Sequence, residues 1–302
     1  MSGYKPPSLE KTVNKLALGT VQFGLDYGIS NKFGKIIIGE GSKIISTARN
    51  SGINTLDTAI AYGSSEQVLG KIGVEDFKIV TKLPPLPKDL GDVEGWVRNQ
   101  IKESCLRLKV PTLYAVLLHR SEDLFGRFGP LLMRSLRRLK YDGIVKKFGV
   151  SIYDPEELAK VTKLMDFGLI QAPLNLIDRR MVTSGWFLRL KEEGVEIHTR
   201  STFLQGLLLM ERRDIPAKFE RWSSVWDQWH KKLADSDTNA LSACIAYPLS
   251  LPEVDRVIVG CDSAKQLKEI CVAAKEVDLP FESSSMALTD IQLINPYHWS
   301  KL

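Results

Sequence analysis

The run Tyr114-Ala115-Val116-Leu117-Leu118-His119 is apolar over four consecutive positions and ends on a histidine. An apolar run without alternation is typical of a strand buried on both faces, as in a parallel sheet covered by helices. Comparable short runs recur along the chain, and a helical pattern follows each of them. We therefore predict eight strands, at residues 16–20, 54–57, 78–82, 114–119, 146–151, 169–172, 196–200 and 256–260.

Helical periodicity fills the spaces between these strands. In residues 92–108 the apolar side chains recur at a spacing close to 3.6 residues. Further helices are predicted at 40–50, 64–71, 123–140, 155–165, 179–193, 238–247 and 264–275. Eight strands that alternate with helices over about 250 residues predict an α/β protein, built as a single (β/α)8 TIM barrel domain over residues 1–302.

A doubly wound sheet is the competing architecture, but no strand is followed by G-x-G-x-x-G and no P-loop motif is present. Two segments exceed a plain barrel: a helical insertion after the seventh strand, at 210–237, and a C-terminal tail, at 278–302. Trp222, Trp226 and Trp229 of the insertion share one helical face. This spacing indicates either a helix packed on the barrel wall or an aromatic lid or dimer contact.

The composition is that of an ordinary globular protein, with 44% hydrophobic and 25% charged residues. The net charge of +5 is spread along the chain, and no basic stripe with aromatic residues indicates nucleic-acid binding. The four cysteines lack metal-ligand spacing, and no apolar run indicates a membrane helix or a signal peptide. We expect a cytoplasmic protein without a metal, since the final Ser300-Lys301-Leu302 is a peroxisomal signal only in a eukaryote.

Four polar residues lie where strands end, which is where a (β/α)8 barrel carries its chemistry. Asp57, Lys82 and His119 end the second, third and fourth strands, and Tyr62 follows the second. A lysine charge beside a tyrosine favours the phenolate and lowers the pKa of the phenol from about 10. Such a tyrosine can protonate a carbonyl oxygen that gains negative charge, while Asp57 holds the lysine and His119 bonds the same oxygen.

Each of these residues also has a structural interpretation when it is taken alone. Asp57 could cap the turn after its strand, and Lys82 could be its salt-bridge partner at the surface. His119 could be a buried structural histidine at the end of an apolar strand.

The stretch Asp57-Thr58-Ala59-Ile60-Ala61-Tyr62-Gly63-Ser64-Ser65-Glu66, followed by Leu69-Gly70, resembles the aldo-keto reductase signature D-T-A-x-x-Y-G-x-S-E-x-x-L-G. Thr81-Lys82 and Leu117-Leu118-His119 close the third and fourth strands as in that family. The resemblance runs over about residues 16–267. It implies a (β/α)8 oxidoreductase that reduces an aldehyde or ketone with NADPH or NADH.

The resemblance also assigns the catalytic roles. It implies that Tyr62 donates the proton, that Lys82 and Asp57 lower the pKa of Tyr62, and that His119 orients the substrate carbonyl. Carried over position by position, it implies a cofactor site made of Gly19, Thr20, Asp57, Ser151, Gln171, Arg200, Ser201, Phe203, Gln205, Gly206, Gly260, Ser263 and Gln266. Among these, Gln171 would contact the carboxamide. Backbone amides at the helix opening after Gly260 would suit a phosphate.

Several positions depart from the family pattern. Ile152 replaces an asparagine that contacts the carboxamide, and Thr202 replaces a proline. Asp262 stands where many members have a lysine or arginine for the 2′-phosphate, and it would repel that phosphate unless Lys265 and Lys268 compensate. On this basis NADPH is favoured, with NADH as the other candidate.

Arg200 replaces an aromatic residue of the family. It could pair with a neighbouring carboxylate, or it could face the cofactor pyrophosphate or an anionic substrate. Asp26, Tyr27 and Asn31 could form a polar wall around the substrate. The runs at 22–29 and 200–208 resemble a bacterial branch associated with polysaccharide or nucleotide-sugar biosynthesis, which implies a small sugar-type carbonyl substrate.

Two other functions remain open at this point. One is a barrel lyase in which Lys82 forms a Schiff base with its substrate. The other is a cofactor-binding barrel that senses redox state with little turnover. The oligomeric state is not predicted by the sequence.

Overall fold

A computed structural model describes residues 12–164, 166–276 and 281–302. Within these residues eight strands form a closed barrel, and each pairs in parallel with the next along the chain. β8 returns to β1, with Leu16 opposite Val257. The strands are β1 (Leu16–Gly19), β2 (Thr55–Asp57), β3 (Lys78–Leu83), β4 (Leu113–Leu118), β5 (Val145–Ser151), β6 (Leu169–Pro173), β7 (Glu196–Arg200) and β8 (Arg256–Val259). The predicted (β/α)8 barrel is confirmed, with strand bounds close to those predicted.

The alternation of side chains along β4 explains why its apolar run is continuous. Ala115 and Leu117 belong to a small cluster with Val80 and Leu169, separate from the main core. Val116 and Leu118 belong to the main core, together with residues of the surrounding helices. Because successive side chains of a strand point to opposite faces, one set fills the barrel and the other packs beneath the helices.

The α-helices lie between the strands and in the additions after β7 and β8. They are α1 (Ile38–Asn50), α2 (Ser65–Ile72), α3 (Val93–Leu108), α4 (Gly129–Tyr141), α5 (Pro155–Val161), α6 (Arg180–Thr183), α7 (Trp186–Glu192), α8 (Ser223–Asp235), α9 (Ala240–Ser250), α10 (Ala264–Ala273) and α11 (Ile291–Ile294). Short 3-10 helices occur at Val21–Phe23, Ser121–Leu124, Leu204–Leu209, Arg212–Asp214, Ala217–Trp222, Ser284–Met286 and Pro296–Lys301. Each predicted helix has a counterpart.

Three predicted helices are shorter or broken in the structure. The helix predicted at 123–140 begins only at Gly129, because Gly126 is a poor helix former and Pro130 favours the first turn. The helix predicted at 179–193 is divided into α6 and α7 at Gly185, whose φ of 77° lies outside the helical region. The helix predicted at 155–165 ends at Val161.

The three tryptophans of the insertion are core residues rather than a lid. Trp226 and Trp229 are fully buried on α8, and Trp222 precedes that helix. The indole N–H of Trp229 donates to the carbonyl of Leu208 at 3.1 Å, in the loop after β7. Trp222 donates to Asp290 Oδ2 at 2.9 Å, which joins the insertion to the tail. The insertion therefore supports the loop after β7 from behind.

The described part of the tail, residues 281–302, packs on the same side of the barrel as the insertion. Met286, Leu293 and Trp299 are buried there, and Ser300 and Lys301 are exposed. None of the helices in the described ranges is long and apolar enough to cross a membrane.

Candidate active site

A cleft of about 560 Å³ opens at the carboxyl ends of the strands. Most of the predicted site residues line it, namely Gly19, Thr20, Asp57, Tyr62, His119, Ser151, Gln171, Arg200, Ser201, Phe203, Gln205, Gly206, Gly260 and Gln266. Two predicted residues do not line it. Lys82 lies beneath the floor, and Ser263 serves as the N-cap of α10.

Lys82 is 1% exposed and forms a buried ion pair with Asp57. Its Nζ donates to the two Asp57 carboxylate oxygens at 2.8 and 2.7 Å, and to the carbonyl of Thr58 at 2.9 Å. Val80, which belongs to the cluster that fills the barrel, lies two positions before Lys82 on β3. Their side chains therefore share the face of the strand that points into the barrel. The predicted pairing of Lys82 with Asp57 is therefore confirmed, whereas the alternative that this pair is a salt bridge at the protein surface is wrong.

The hydroxyl of Tyr62 reaches the edge of this ion pair. Lys82 Nζ donates to it over 3.4 Å, and the ammonium lies 5.0 Å from the centre of the Tyr62 ring. The His119 ring meets Tyr62 edge-on, with 6.0 Å between the ring centres. Because Lys82 is the donor, the phenol proton of Tyr62 is not used in this contact.

The electrostatics differ from the expectation that Lys82 and Asp57 lower the pKa of Tyr62. Burial raises the pKa of Tyr62, the Asp57 carboxylate raises it further, and Arg200 opposes them. The reason is that Asp57 contacts the ammonium with both oxygens, so the charge of Lys82 is largely compensated. The phenol therefore stays protonated through neutral pH and holds a proton that it can donate.

His119 is neutral at physiological pH. Burial lowers its pKa to about 4, and the charges of Lys82 and Arg200 act in the same direction. A neutral imidazole has one N–H donor and one acceptor nitrogen. His119 can therefore donate a hydrogen bond to an oxygen in the cleft without carrying a charge.

Gln171 is bonded to the carboxylate of the Asp57–Lys82 ion pair. Its Nε2 donates to Asp57 Oδ1 at 2.7 Å, and its Oε1 accepts from Ser151 Oγ at 3.3 Å. Both residues are buried and line the cleft. Ser151 and Gln171 thus orient the carboxylate that fixes Lys82.

The second half of the family signature is structural. Ser65 Oγ donates to the carbonyl of Thr20 at 2.8 Å, so it ties α2 to the end of β1. Glu66 is 2% exposed and accepts from Thr81, Ser104 and Arg107. Of the first half of the motif, Asp57 and Tyr62 line the cleft.

A hydrogen bond joins two loops that line the cleft. The amide of Ile29, in the loop after β1, donates to the carbonyl of Gln205 at 3.1 Å. A Cβ at Gly206 would lie 1.9 Å from Ser30 Oγ, so a glycine is required there. Ser201, Leu204 and Gln205 all have positive φ, which is uncommon for residues with side chains and frequent at functional sites.

Arg200 lies in the cleft without a carboxylate. Its guanidinium donates to the carbonyl of Ile152 at 2.9 Å and stacks on Tyr153 at 4.3 Å from the ring centre. No residue in the described ranges forms an ion pair with it, so the predicted pairing with a carboxylate is wrong. The cation faces the interior of the cleft.

Three amides at the opening of α10, which were expected to suit a phosphate, are bonded to side chains of the protein. The amide of Asp262 donates to Gln266 Oε1 at 2.7 Å, and that of Ala264 donates to Glu40 Oε1 at 2.8 Å. The amide of Gln266 donates to Ser263 Oγ at 3.2 Å. The side chains of Glu40 and Gln266 thus fill the anion site that a helix N-terminus offers.

Some lining residues were missed from the sequence. Gln22, Tyr153, Asn239 and Glu269 line the cleft. Gln22 and Tyr153 each follow a strand-end residue by two positions, and this could have identified them. Of the predicted substrate wall, Tyr27 lines the cleft, whereas Asn31 bonds its own loop at Tyr27 and Gly34.

Comparisons with known proteins agree with this geometry. Residues 15–291 match the model of the aldo/keto reductase family. L-galactose dehydrogenase of Arabidopsis thaliana is 23% identical over 288 residues, which cover 87% of this chain and 86% of the relative. NADH-specific methylglyoxal reductase of Escherichia coli is 24% identical and covers 77% of this chain and 81% of the relative. The holo form of an aldo-keto reductase from Bacillus halodurans superposes with a TM-score of 0.68 at 22% identity, covering 87% of each chain.

The chain belongs to the aldo/keto reductase family and is an oxidoreductase. The family uses nicotinamide cofactors, and the cleft fits such a group. Gln22 Oε1 and Asp262 Oδ1 are buried side-chain oxygens of the cleft wall that have no partner among the described residues. Such atoms are expected where a polar ligand completes the hydrogen bonding. No group of three potential metal ligands lies together in those ranges.

Proposed function

We propose that this protein reduces an aldehyde or ketone with a nicotinamide cofactor, and that Tyr62 donates the proton to the carbonyl oxygen. The observation that carries the proposal is the Tyr62 hydroxyl at the cleft, 3.4 Å from a buried lysine that Asp57 holds in place. A bound reduced nicotinamide supplies the hydride that adds to the carbonyl carbon. As that hydride adds, the oxygen becomes more basic and takes the phenol proton of Tyr62.

The surrounding residues stabilise the charge as it moves. Lys82 is 3.4 Å from the Tyr62 oxygen and lowers the energy of the phenolate that proton donation leaves behind. His119 is neutral and donates a hydrogen bond to the substrate oxygen. The positions of Asp57 and Lys82 are fixed before substrate arrives, so no reorganisation is needed during the step.

The predicted cofactor residues divide between the two ends of the cleft. We assign the nicotinamide end to Gly19, Thr20, Ser151 and Gln171, next to Asp57. The loop after β7 contributes Ser201, Phe203, Gln205 and Gly206. Gly260 and Gln266 stand at the far end, where Ser263 acts indirectly as the cap of α10.

The substrate is proposed to be a small polar carbonyl compound of the sugar type. Supporting this, one relative is named for the sugar L-galactose, and Tyr27, Arg200 and Asn239 give the cleft wall polar groups. Arg200 provides a cation for an acidic group, either on the substrate or in the cofactor pyrophosphate.

Tyr62→Phe tests the proposal. Oxidation of NADH or NADPH, followed by absorbance with a panel of aldehydes and aldoses, should fall by about 10²–10⁴-fold in the variant. Cofactor affinity should stay within about twofold, because the substitution removes only the hydroxyl. Near-full activity in Tyr62→Phe would exclude this mechanism. Binding of cofactor by the wild type without reduction of any compound would instead favour a redox-sensing role.

A Schiff-base lyase is disfavoured by the position of Lys82. Its Nζ is buried beneath the cleft and donates to three oxygens of Asp57 and Thr58. A lysine that attacks a carbonyl must be neutral and accessible. Borohydride in the presence of substrate should therefore leave Lys82 unmodified.

A further inference from the structure

The far end of the cleft, at the opening of α10, contains two acceptor oxygens that receive no hydrogen bond from the described residues. Gln22 is 9% exposed, and its Oε1 has no hydrogen-bond partner among the described residues. Its carboxamide rests on Gly260, where a Cβ would lie 2.7 Å from Gln22 Nε2. Asp262, two residues further on, also has a buried carboxylate oxygen without a partner. A ligand that satisfies these oxygens must donate hydrogen bonds.

The same end of the cleft offers little to an anion. The amide of Ala264, which would otherwise point at a phosphate, donates to the carboxylate of Glu40 at 2.8 Å. That amide and Lys43 hold the pKa of Glu40 below its usual range, so it is charged at neutral pH. The amides of Asp262 and Gln266 are bonded to side chains as well. Three amides at this helix N-terminus are therefore bonded to side chains of the protein, one of them to the carboxylate of Glu40.

The lysines near this helix N-terminus lie outside the cleft wall. Lys265 is 87% exposed at its side chain and lies 3.9 Å from Glu269, which itself lines the cleft. Lys43 lies 3.3 Å from Glu40. Neither lysine lines the cleft, and Lys268 does not line it either. None of these three lysines is therefore part of the wall that carries Asp262.

We propose that this end of the cleft selects NADH over NADPH, with Asp262 and Gln22 accepting from the ribose hydroxyls of the adenosine. The inference rests on the proposed function and replaces the preference for NADPH drawn from the sequence. Ribose hydroxyls are donors and can satisfy both orphaned oxygens. A 2′-phosphate has only acceptor oxygens at neutral pH and would bring about two negative charges beside Asp262, which lines the cleft.

Binding measurements without turnover test the proposal. Isothermal titration of the wild-type protein should give a Kd for NADH at least about tenfold lower than that for NADPH, a difference of about 1.4 kcal/mol. The redox-inactive pair ADP-ribose and 2′-phospho-ADP-ribose should show the same order. The difference should shrink between low and high salt, because repulsion between charges near the surface is screened.

Matched variants locate the selecting charge. Asp262→Asn keeps the size and an acceptor oxygen, and it should tighten NADPH several-fold while it changes NADH by less than about threefold. Glu40→Gln keeps the acceptor for the amide of Ala264 and should tighten NADPH by a smaller factor. Glu193→Gln, a carboxylate paired with Arg189 after α7 and outside the cleft, should change neither affinity.

Equal or tighter binding of NADPH by the wild type would overturn the proposal. So would an Asp262→Asn variant whose ratio of the two affinities equals that of the wild type. If neither dinucleotide binds at millimolar concentration, the proposed reductase function fails first. That outcome is distinct from binding with the opposite preference.

Discussion

Two clusters in this barrel are built from the same four kinds of side chain, a carboxylate, a lysine, a tyrosine and a histidine. The upper cluster, at the carboxyl ends of the strands, consists of Asp57, Lys82, Tyr62 and His119. The lower cluster, near the amino ends, consists of Glu196, Lys147, Tyr114 and His198. Only the upper cluster borders the cleft.

In the lower cluster the carboxylate of Glu196 is hydrogen-bonded to all three of the other side chains. Tyr114 donates to Glu196 Oε2 at 2.6 Å, and Lys147 Nζ donates to the same oxygen at 2.6 Å. Nε2 of His198 lies 2.8 Å from Glu196 Oε1. These hydrogen bonds outweigh the effect of burial and hold the pKa of Glu196 well below its usual range. The phenol proton of Tyr114 is therefore committed to a structural bond.

In the upper cluster the carboxylate takes the lysine and Gln171 but not the tyrosine. Tyr62 accepts from Lys82 and keeps its own proton for another acceptor. The comparison shows that residue types do not make a catalytic site by themselves. What matters is where the tyrosine proton is bonded and whether a ligand can reach it.

Replacing the lysine should give the largest difference between the two clusters in the free energy of unfolding. Lys82→Met leaves Asp57 as a buried charge without its cation, which should lower the free energy of unfolding by about 3–5 kcal/mol. Lys147 has a side chain that is 33% exposed, so water can solvate Glu196 in Lys147→Met, and the loss should be about 1 kcal/mol. Urea unfolding followed by circular dichroism measures both. Equal losses would mean that the two ion pairs are not buried to different degrees.

The upper histidine should make stability depend on pH. The pKa of His119 is about 4 in the folded protein against 6.5 for a histidine in the unfolded chain, so the unfolded state binds the proton more tightly. Stability is therefore lost as the pH falls from about 6.5 to about 4, by an amount on the order of 2–3 kcal/mol. His119→Gln should lack this part of the loss.

The measurement compares unfolding free energies of the wild type and His119→Gln from pH 7 to pH 4.5, without cofactor. Glu196 has a lowered pKa and so contributes stability that is lost only below its unfolded value, near 4.5. Both proteins retain Glu196, and the difference between their profiles isolates His119. Parallel profiles would show that His119 does not resist protonation.

Tyr114→Phe should have a smaller effect on stability than Lys82→Met, and it provides a control for activity. Tyr114→Phe removes one hydrogen bond to a charged group and should cost about 1–2 kcal/mol, because Lys147 and His198 still serve Glu196. Carbonyl reduction should stay within about twofold of the wild type, in contrast to Tyr62→Phe. A large loss of activity in Tyr114→Phe would mean that the lower cluster is coupled to the cleft.

The alternation of apolar strands and amphipathic helices was enough to predict the barrel, because each strand must be covered on both faces. The sequence also placed Asp57, Lys82 and His119 at strand ends, since parallel strands bring their carboxyl ends to one rim. The sequence could not show that Lys82 is buried beneath the floor of the cleft. Lys82 on β3 is held by Asp57 and Thr58 at the end of β2, and Asp57 is held in turn by Gln171 on β6.

The sequence by itself determined the architecture, the family and the residue types available at the rim, because periodicity and a local motif are properties of neighbouring positions. The tertiary structure decided which charges are free. Glu40 reaches the amide of Ala264 across 224 positions of sequence, and Arg200 finds a carbonyl and an aromatic ring instead of a carboxylate. Those contacts are set by the closure of β1 against β8 and of β6 against β7. Since the energy of a charge depends on its immediate neighbours in space, the proposed preference for NADH could be argued only from the closed barrel.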